Sequence, residues 1–260
     1  MKIIYLVIYF HISTFQYIMV TMMKALTSLE MQEFEKYACD NFKITVEDMI
    51  QNAGKAVFDF VMEQIKPSCV LVVAGKGHNG GDALVAARLL YKAGAVVTIM
   101  MPYSDSELSE YTLAQLEKVR KIRIPIIFKT DEIDLRKRDM QSAASDGGFD
   151  LIIDGLFGFS LKGNPKSPAD EIINWMNFSG IPILSVDVPS GLDSGTGQVM
   201  EPTIKAFYTV TLGMPKIGLD KHREFVGNLY LGNVGIPQRT YQKLDIHTPI
   251  FLGKSYVTLD

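Results

Sequence analysis

Three polar runs in this 260-residue chain follow directly on apolar ones, and their residue types are those that hold anions, hold cations and move protons. Gly75-Lys76-Gly77-His78-Asn79-Gly80-Gly81-Asp82 comes after CVLVVA, Asp154-Gly155-Leu156-Phe157-Gly158 after DLII, and Asp187-Val188-Pro189-Ser190-Gly191 after PILSV. In an open α/β sheet ligands gather just beyond the carboxyl ends of the strands, so chemistry is expected in these three runs. In the first, Gly75, Gly77 and Gly80 form GxGxxG, which lets backbone amides approach a phosphate at a helix start. A nicotinamide dehydrogenase would also carry an acid at the end of the next strand to hold the ribose, but AVVTIMMPY closes with Met100, Met101, Pro102 and Tyr103. Asp82 is expected in the first helical turn. There it would repel a pyrophosphate yet could accept from ribose hydroxyls, or simply cap the helix.

Asn79, Asp154 and Ser190 offer oxygens from three strand ends without imidazole or thiolate, a set that suits a hard cation. Oxygen count does not separate potassium from magnesium or calcium, and the same three residues could serve only to satisfy loop amides. Asp187 precedes a Pro-Ser-Gly corner. A carboxylate held there suits a general acid or base, and its alternative is an Asx turn that shapes the corner. Lys216, in TLGMPKIGL, either brings positive charge to the same cleft or is a surface lysine.

These runs need a sheet to align them, and the rest of the chain supplies one. SLEMQEFEKYACDNF and TVEDMIQNAGKAVFDFVMEQI have helical spacing, the second with a stripe of Met49, Ala53, Ala56, Val57, Phe60 and Val61. Thr45 with Asp48 reads as a helix N-cap. CVLVVA (69–74) has no polar alternation, as in a strand covered on both faces, and a helix ALVAARLLYKAG closed by Gly94 is expected after it. Strands are expected at 95–101, 124–128, 150–157, 181–188, 207–213 and 227–237, with helices in SELSEYTLAQLEKVRK and ADEIINWMN. This alternation predicts a three-layer αβα sandwich with a Rossmann-like, mostly parallel sheet. Residues 136–148 are expected to be a solvated connection, and the segment after Pro237 has the least pattern.

Composition narrows the function classes. With 47% hydrophobic residues the chain can bury a core, and 26 Lys plus Arg against 29 Asp plus Glu give no electrostatic reason to bind nucleic acid. Cys39 and Cys69 lack the spacing of a disulfide framework or a zinc site. Between Lys2 and Lys24 the chain carries no charged residue. That segment fits an upstream start with Met22 or Met23 as the working first residue, a signal or anchor, or a native extra element. The expected organisation is an apolar extension over 1–22, one catalytic domain over 23–237 and a tail over 238–260.

Together, GKGHNGGDALVAARLL, DGLFGFSLKG (154–163), DVPSGLDSGTG (187–197) and TLGMPKIGL (211–219), with MIQNAGKAVFDFV upstream, resemble the YjeF N-terminal domain, the NAD(P)H-hydrate epimerase family. The resemblance implies a domain that binds the hydrated cofactors NADHX and NADPHX and interconverts their R and S epimers at C6. It implies a potassium ion with side-chain ligands Asn79, Asp154 and Ser190. It carries substrate contacts onto His78, Asn79, Gly80, Gly81 and Asp82, onto Gly158, Phe159, Ser160, Leu161, Lys162, Gly163 and Asn164, and onto Asp187, the acid/base. Amides of the 158–164 loop and Lys162 would offset the dinucleotide's charge. Either loss of the hydroxyl proton with ring opening or loss of water would epimerise C6.

The chain departs from the family in having His78 where Asn is usual and Ala83 where Gly is usual. It also lacks the dehydratase domain that many members carry, so the dehydratase is expected as a separate polypeptide, with residues 238–260 as the stub of a linker. A homodimer and a cytoplasmic location are further expectations of the resemblance, with signal or anchor left open by residues 1–22. Two rivals remain. One is a non-catalytic dinucleotide-binding or scaffold module, because some relatives act as dimeric scaffolds in messenger-RNA decapping after losing the site residues. The other is an ordinary NAD(P) oxidoreductase, weakened by the missing acid after the second strand.

Overall fold

The computed structural model describes residues 24–128, 148–243, 246 and 251–259. The apolar segment 1–22 and residues 136–147 of the expected connection lie outside them. Helix α1 (Ser28–Phe42) and helix α2 (Val46–Phe60) each begin with a capping box. Thr27 pairs with Glu30, and Thr45 pairs with Asp48 as the sequence predicts, so each cap satisfies amides the helix cannot. The expected stripe of α2 is buried along its whole length.

Eight strands follow: β1 (Cys69–Ala74), β2 (Val96–Met101), β3 (Ile126–Phe128), β4 (Leu151–Gly155), β5 (Ile183–Val186), β6 (Tyr208–Leu212), β7 (Asn228–Gly232) and β8 (Tyr256–Thr258). They form one sheet in the order β3-β2-β1-β4-β5-β6-β7-β8, parallel except for β8. The chain runs outward from β1 through β2 to β3, then returns to build the other half from β4. Strands β1 and β4 therefore flank the point where strand order reverses. Val70, Val72 and Ala74 of β1 face one apolar cluster, Leu71 and Val73 another. This two-sided burial is what the unbroken run CVLVVA encodes. Helices α1, α2, α3 (His78–Lys92) and α4 (Glu110–Lys121) pack into the first cluster, and α5 (Ala169–Phe178) covers the second. Helices α2 and α3 meet at Gly54, where a Cβ would lie 2.4 Å from that of Val85. Cys39 and Cys69 are free, half-buried thiols. Among the described residues no helix is long and apolar enough to cross a membrane.

Two expectations change. Helix α3 starts at His78 and not at Ala83, because Gly77 is already the extended N-cap and its carbonyl accepts from Gly80 N–H at 2.9 Å. Asp82 thus lies in the second helical turn instead of the first. Beyond Pro237, where the sequence shows least pattern, a short helix and a strand form: after α6 (Arg223–Val226) and β7 come α7 (Gln238–Lys243) and β8. Tyr241 meets Phe34 edge-on at 4.9 Å, and Phe60 touches Tyr208, Tyr230 and Tyr256 at centroid separations of 5.4, 4.5 and 5.3 Å. Tyr256 also donates to Glu63 at 2.7 Å, which ties β8 to the residues just after α2.

Phe60 thus joins α2 to three strands. Phe60→Ala should cost about 3–5 kcal/mol of stability, read as a lower urea midpoint, because a fully buried ring is removed from a packed cluster.

Candidate active site

The strand ends at the β1/β4 switch point are brought together by backbone contact. Gly75 N–H extends the β1/β4 pairing by donating to Gly155 O at 2.9 Å. A Cβ on Gly75 would lie 1.9 Å from Leu156 O, and one on Gly80 would lie 2.0 Å from Gly75 O, whereas one on Gly77 would meet nothing within 4 Å. Two glycines of GxGxxG are therefore fixed by close approach, which seats the first turn of α3 directly over β4. At Gly155 a Cβ would come 2.4 Å from Ala83 Cβ and 3.2 Å from Asn79 O.

Asp187 sits in a tight reversal after β5. Val188 N–H donates to Val186 O at 2.9 Å, and Asp187 itself has φ +68°, a left-handed conformation that Asp tolerates better than most residues. The strain is at Asp187 and not at the Pro-Ser-Gly corner. It aims a side chain that is only 4% exposed. Oδ1 accepts from Leu212 N–H at 3.2 Å and from Lys216, while Oδ2 accepts from Phe159 N–H at 3.2 Å. Oδ2 would also lie 3.1 Å from a Cβ on Gly158, so that glycine leaves the oxygen its opening. Lys216 is neither a surface lysine nor free in the cleft. It is fully buried behind Asp187 and ion-paired to it.

Asp154 is also wholly buried, and its four acceptor positions are filled by Leu156 N–H (3.2 Å), Ser185 Oγ (2.9 Å), Ser190 N–H (3.0 Å) and Ser190 Oγ (2.6 Å). Ser190 Oγ in turn accepts from Phe157 N–H at 3.0 Å. Burial pushes the Asp154 carboxyl up, against the lowering effect of these bonds. Asn79 differs: both its side-chain amide atoms are buried and without a hydrogen-bond partner. A buried amide left open is costly unless something is bound there, and the Asn79 amide oxygen is a donor that suits a hard cation of low charge, whereas the Asp154 oxygens are taken by the protein's own donors. Part of the alternative also holds, since Asp154 and Ser190 do satisfy loop amides.

The remaining candidates line the rim. His78 packs edge-on to Tyr111 at 5.2 Å, and desolvation holds its imidazole below the usual range despite Glu110, so the ring is neutral at pH 7. Gly81 is buried against Ile50 and Thr112. Phe159 N–H reaches Asp187, and its carbonyl accepts from Ser194 at 3.1 Å. Ser160, Lys162 and Gly163 are exposed beside half-buried Leu161, and Asn164 accepts from Glu201 N–H at 3.2 Å. Asp82 is buried and has no hydrogen-bond partner among the described residues. Burial, then repulsion from Asp187 and Glu35, raises its carboxyl well above the usual range, while Lys216 opposes the rise.

Glu35 of α1 is a group that the motifs do not reveal. Burial pushes it up to about 7, with Lys216 pulling it down and Asp187 pushing it up. A signal existed: Glu35 adjoins the stripe Met31, Phe34 and Ala38, where an acid is out of place.

An α/β sandwich with a glycine-seated helix start at the strand-order switch, and a buried carboxylate–lysine pair beyond the neighbouring strand ends, places its polar cluster where such sheets bind ligands. The chain belongs to the YjeF N-terminal family: residues 46–218 match the model of the YjeF-related protein N-terminus. It is 32% identical to the NAD(P)H-hydrate epimerase of Plasmodium knowlesi over 85% of this chain and 72% of that one. Against the NAD(P)H-hydrate epimerase of Lentilactobacillus buchneri it is 32% identical over 83% of this chain and 96% of that one. The bifunctional NAD(P)H-hydrate repair enzyme Nnr of Moorella thermoacetica is 30% identical over 84% of this chain, which spans only 41% of that longer protein. The crystal structure of a yeast protein, YNL200c, superposes with a TM-score of 0.78 at 26% identity, covering 90% of this chain and 99% of that one.

Gly75→Ala should destabilise the fold by about 1–3 kcal/mol or prevent it, whereas Gly77→Ala should stay within about 1 kcal/mol; thermal melts of the pair check this. Because Glu35 rises from 4.5 to about 7 on folding, the folded state holds its proton more tightly, and stability falls as pH rises through that window. Glu35→Gln should remove that slope, gaining about 1–3 kcal/mol over the wild-type chain at pH 8 and little at pH 5 in urea titrations.

Proposed function

We propose that this chain interconverts the R and S epimers of NADHX and NADPHX at C6, with Asp187 as the acid/base. The observation that carries the reading is Asp187 Oδ2. It is a carboxylate oxygen that accepts from Phe159 N–H and has open space where Gly158 lacks a Cβ, while Oδ1 is held by Lys216 and Leu212 N–H. The relatives named NAD(P)H-hydrate epimerase support the substrate assignment.

The buried ion pair with Lys216 presents Asp187 as a carboxylate, which favours the base-first route. Oδ2 takes the proton of the C6 hydroxyl, the oxygen's electron pair forms the aldehyde C=O, and the C6–N1 bond breaks with its pair going to N1. Asp187 passes that proton on to N1. After rotation about C5–C6 has exposed the other face, Asp187 takes the proton back from N1 as N1 attacks C6, and returns it to the former aldehyde oxygen. Proton transfer of this kind contributes about 10²–10⁴ in rate.

The 158–164 loop offers Lys162 and exposed backbone to the diphosphate, and the start of α3 offers its free amides. His78, being neutral, can still donate one hydrogen bond. Asn79, Asp154 and Ser190 would hold a potassium ion, which supplies fixed positive charge near the substrate's anionic groups. In such a repair reaction a dehydratase would consume the S epimer, in keeping with the bifunctional relatives named for NAD(P)H-hydrate repair.

An equilibrated mixture of NADHX epimers with an S-specific dehydratase tests the reading: added protein should speed conversion of the lagging R half above the spontaneous rate. Asp187→Asn should lower turnover about 10²-fold or more while binding persists, and near wild-type rates would remove Asp187 from the role. Asn79→Ala should weaken substrate binding and erase any difference between potassium and sodium buffers. A potassium effect that survives this change would place the ion elsewhere.

A further inference from the structure

The ammonium of Lys216, 0% exposed, gives its protons to Asp187 Oδ1, to Thr211 Oγ1 at 3.1 Å and to Leu212 O at 2.6 Å. An ammonium has three donors and no acceptor, so none is left for a substrate phosphate or hydroxyl. The load on Asp187 is uneven. Oδ1 takes Lys216, Leu212 N–H and a long contact of 3.5 Å from Thr211, whereas Oδ2 takes only Phe159 N–H. The backbone of Lys216 is itself anchored. Leu26 forms a parallel bridge to it, with Leu26 N–H on Pro215 O at 2.8 Å and Ile217 N–H on Leu26 O at 3.2 Å. Two further acids act on this pair, Asp82 from α3 and Glu35 from α1, and Lys216 is the cation that acts on both.

We infer that Lys216 is a positioning residue for the epimerisation: it locks Oδ1, keeps Asp187 a carboxylate against its acidic neighbours, and leaves Oδ2 as the oxygen that exchanges a proton with the C6 hydroxyl. The inference rests on the epimerase reading above. All three donors of Lys216 are engaged within the protein, so it makes no bond to the substrate. Its effect passes wholly through Asp187.

The full chain carrying Lys216→Met or Lys216→Gln should be assayed with NADHX in potassium buffer from about pH 5.5 to about 9.5, a span that brackets carboxylate titration from above. At neutral pH kcat should fall about 10-fold or more with KM changed less than about 3-fold, and the acid limb of the profile should move to higher pH. On an Asp187→Asn background Lys216→Met should cost nothing further, because the group it acts through is gone. A loss that is uniform across pH, or that adds fully to that of Asp187→Asn, overturns the inference. Should the Met variant not fold, the Gln variant carries the test, since its amide can still donate to Oδ1 without charge. A wild-type chain that epimerises neither NADHX nor NADPHX would defeat the epimerase reading alone. Lys216 would then be judged in the ligand-free chain, from the carbon-13 signal of the Asp187 carboxyl, assigned by its loss in Asp187→Asn. That signal should titrate at higher pH in Lys216→Gln, and an unmoved titration overturns the inference.

Discussion

The close approach of backbone at the β1/β4 strand ends is the constraint on which this structure turns. Gly75 and Gly80 stand where no side chain fits, so the polypeptide passes from β1 into α3 through residues 75–77 alone and sets the helix start on top of β4. That contact buries Asn79, places it beside Gly158, and brings the run from Asp154 under the same roof. A looser turn would leave these side chains at the surface, where water would satisfy them and no ligand would be needed.

Charge is the second organising fact. Asp187, Asp82 and Glu35 come from β5, α3 and α1, and one buried ammonium serves all three. Only Asp187 touches it. The other two feel burial more than they feel Lys216, so both are biased toward the neutral form. Environment therefore sets chemically similar carboxyls apart: one is ion-paired, and two are pushed toward the neutral form by burial.

Much of this architecture was legible in the sequence because the relevant forces are local. Apolar runs without alternation announced strands covered on both faces, and the Thr45/Asp48 pair announced its helix start. What escaped depended on distant contacts. The start of α3 at His78 is set by the extended Gly77 cap, held where Gly75 packs against Leu156 O, not by helix propensity within HNGGD. Residues after Pro237 gain structure by packing on Phe34 and Phe60 and by pairing with β7. At the site, Asp187, Asn79 and Asp154 were visible as polar residues at strand ends. The burial of Lys216, the left-handed backbone of Asp187 and the presence of Glu35 come from tertiary placement that a linear pattern does not carry.

The bridge between Leu26 and Lys216 joins positions about 190 residues apart in the chain. A contact of such separation closes late, after the central strands have formed, because its loop-closure entropy must first be offset. On the ribosome the sheet through β5 can therefore assemble while Lys216 is still unsynthesised. Asp187 then acquires its partner only when the segment ahead of α1 is clamped against the emerging residues 215–217. The order of synthesis thus separates the making of the acid/base from the making of the residue that holds it.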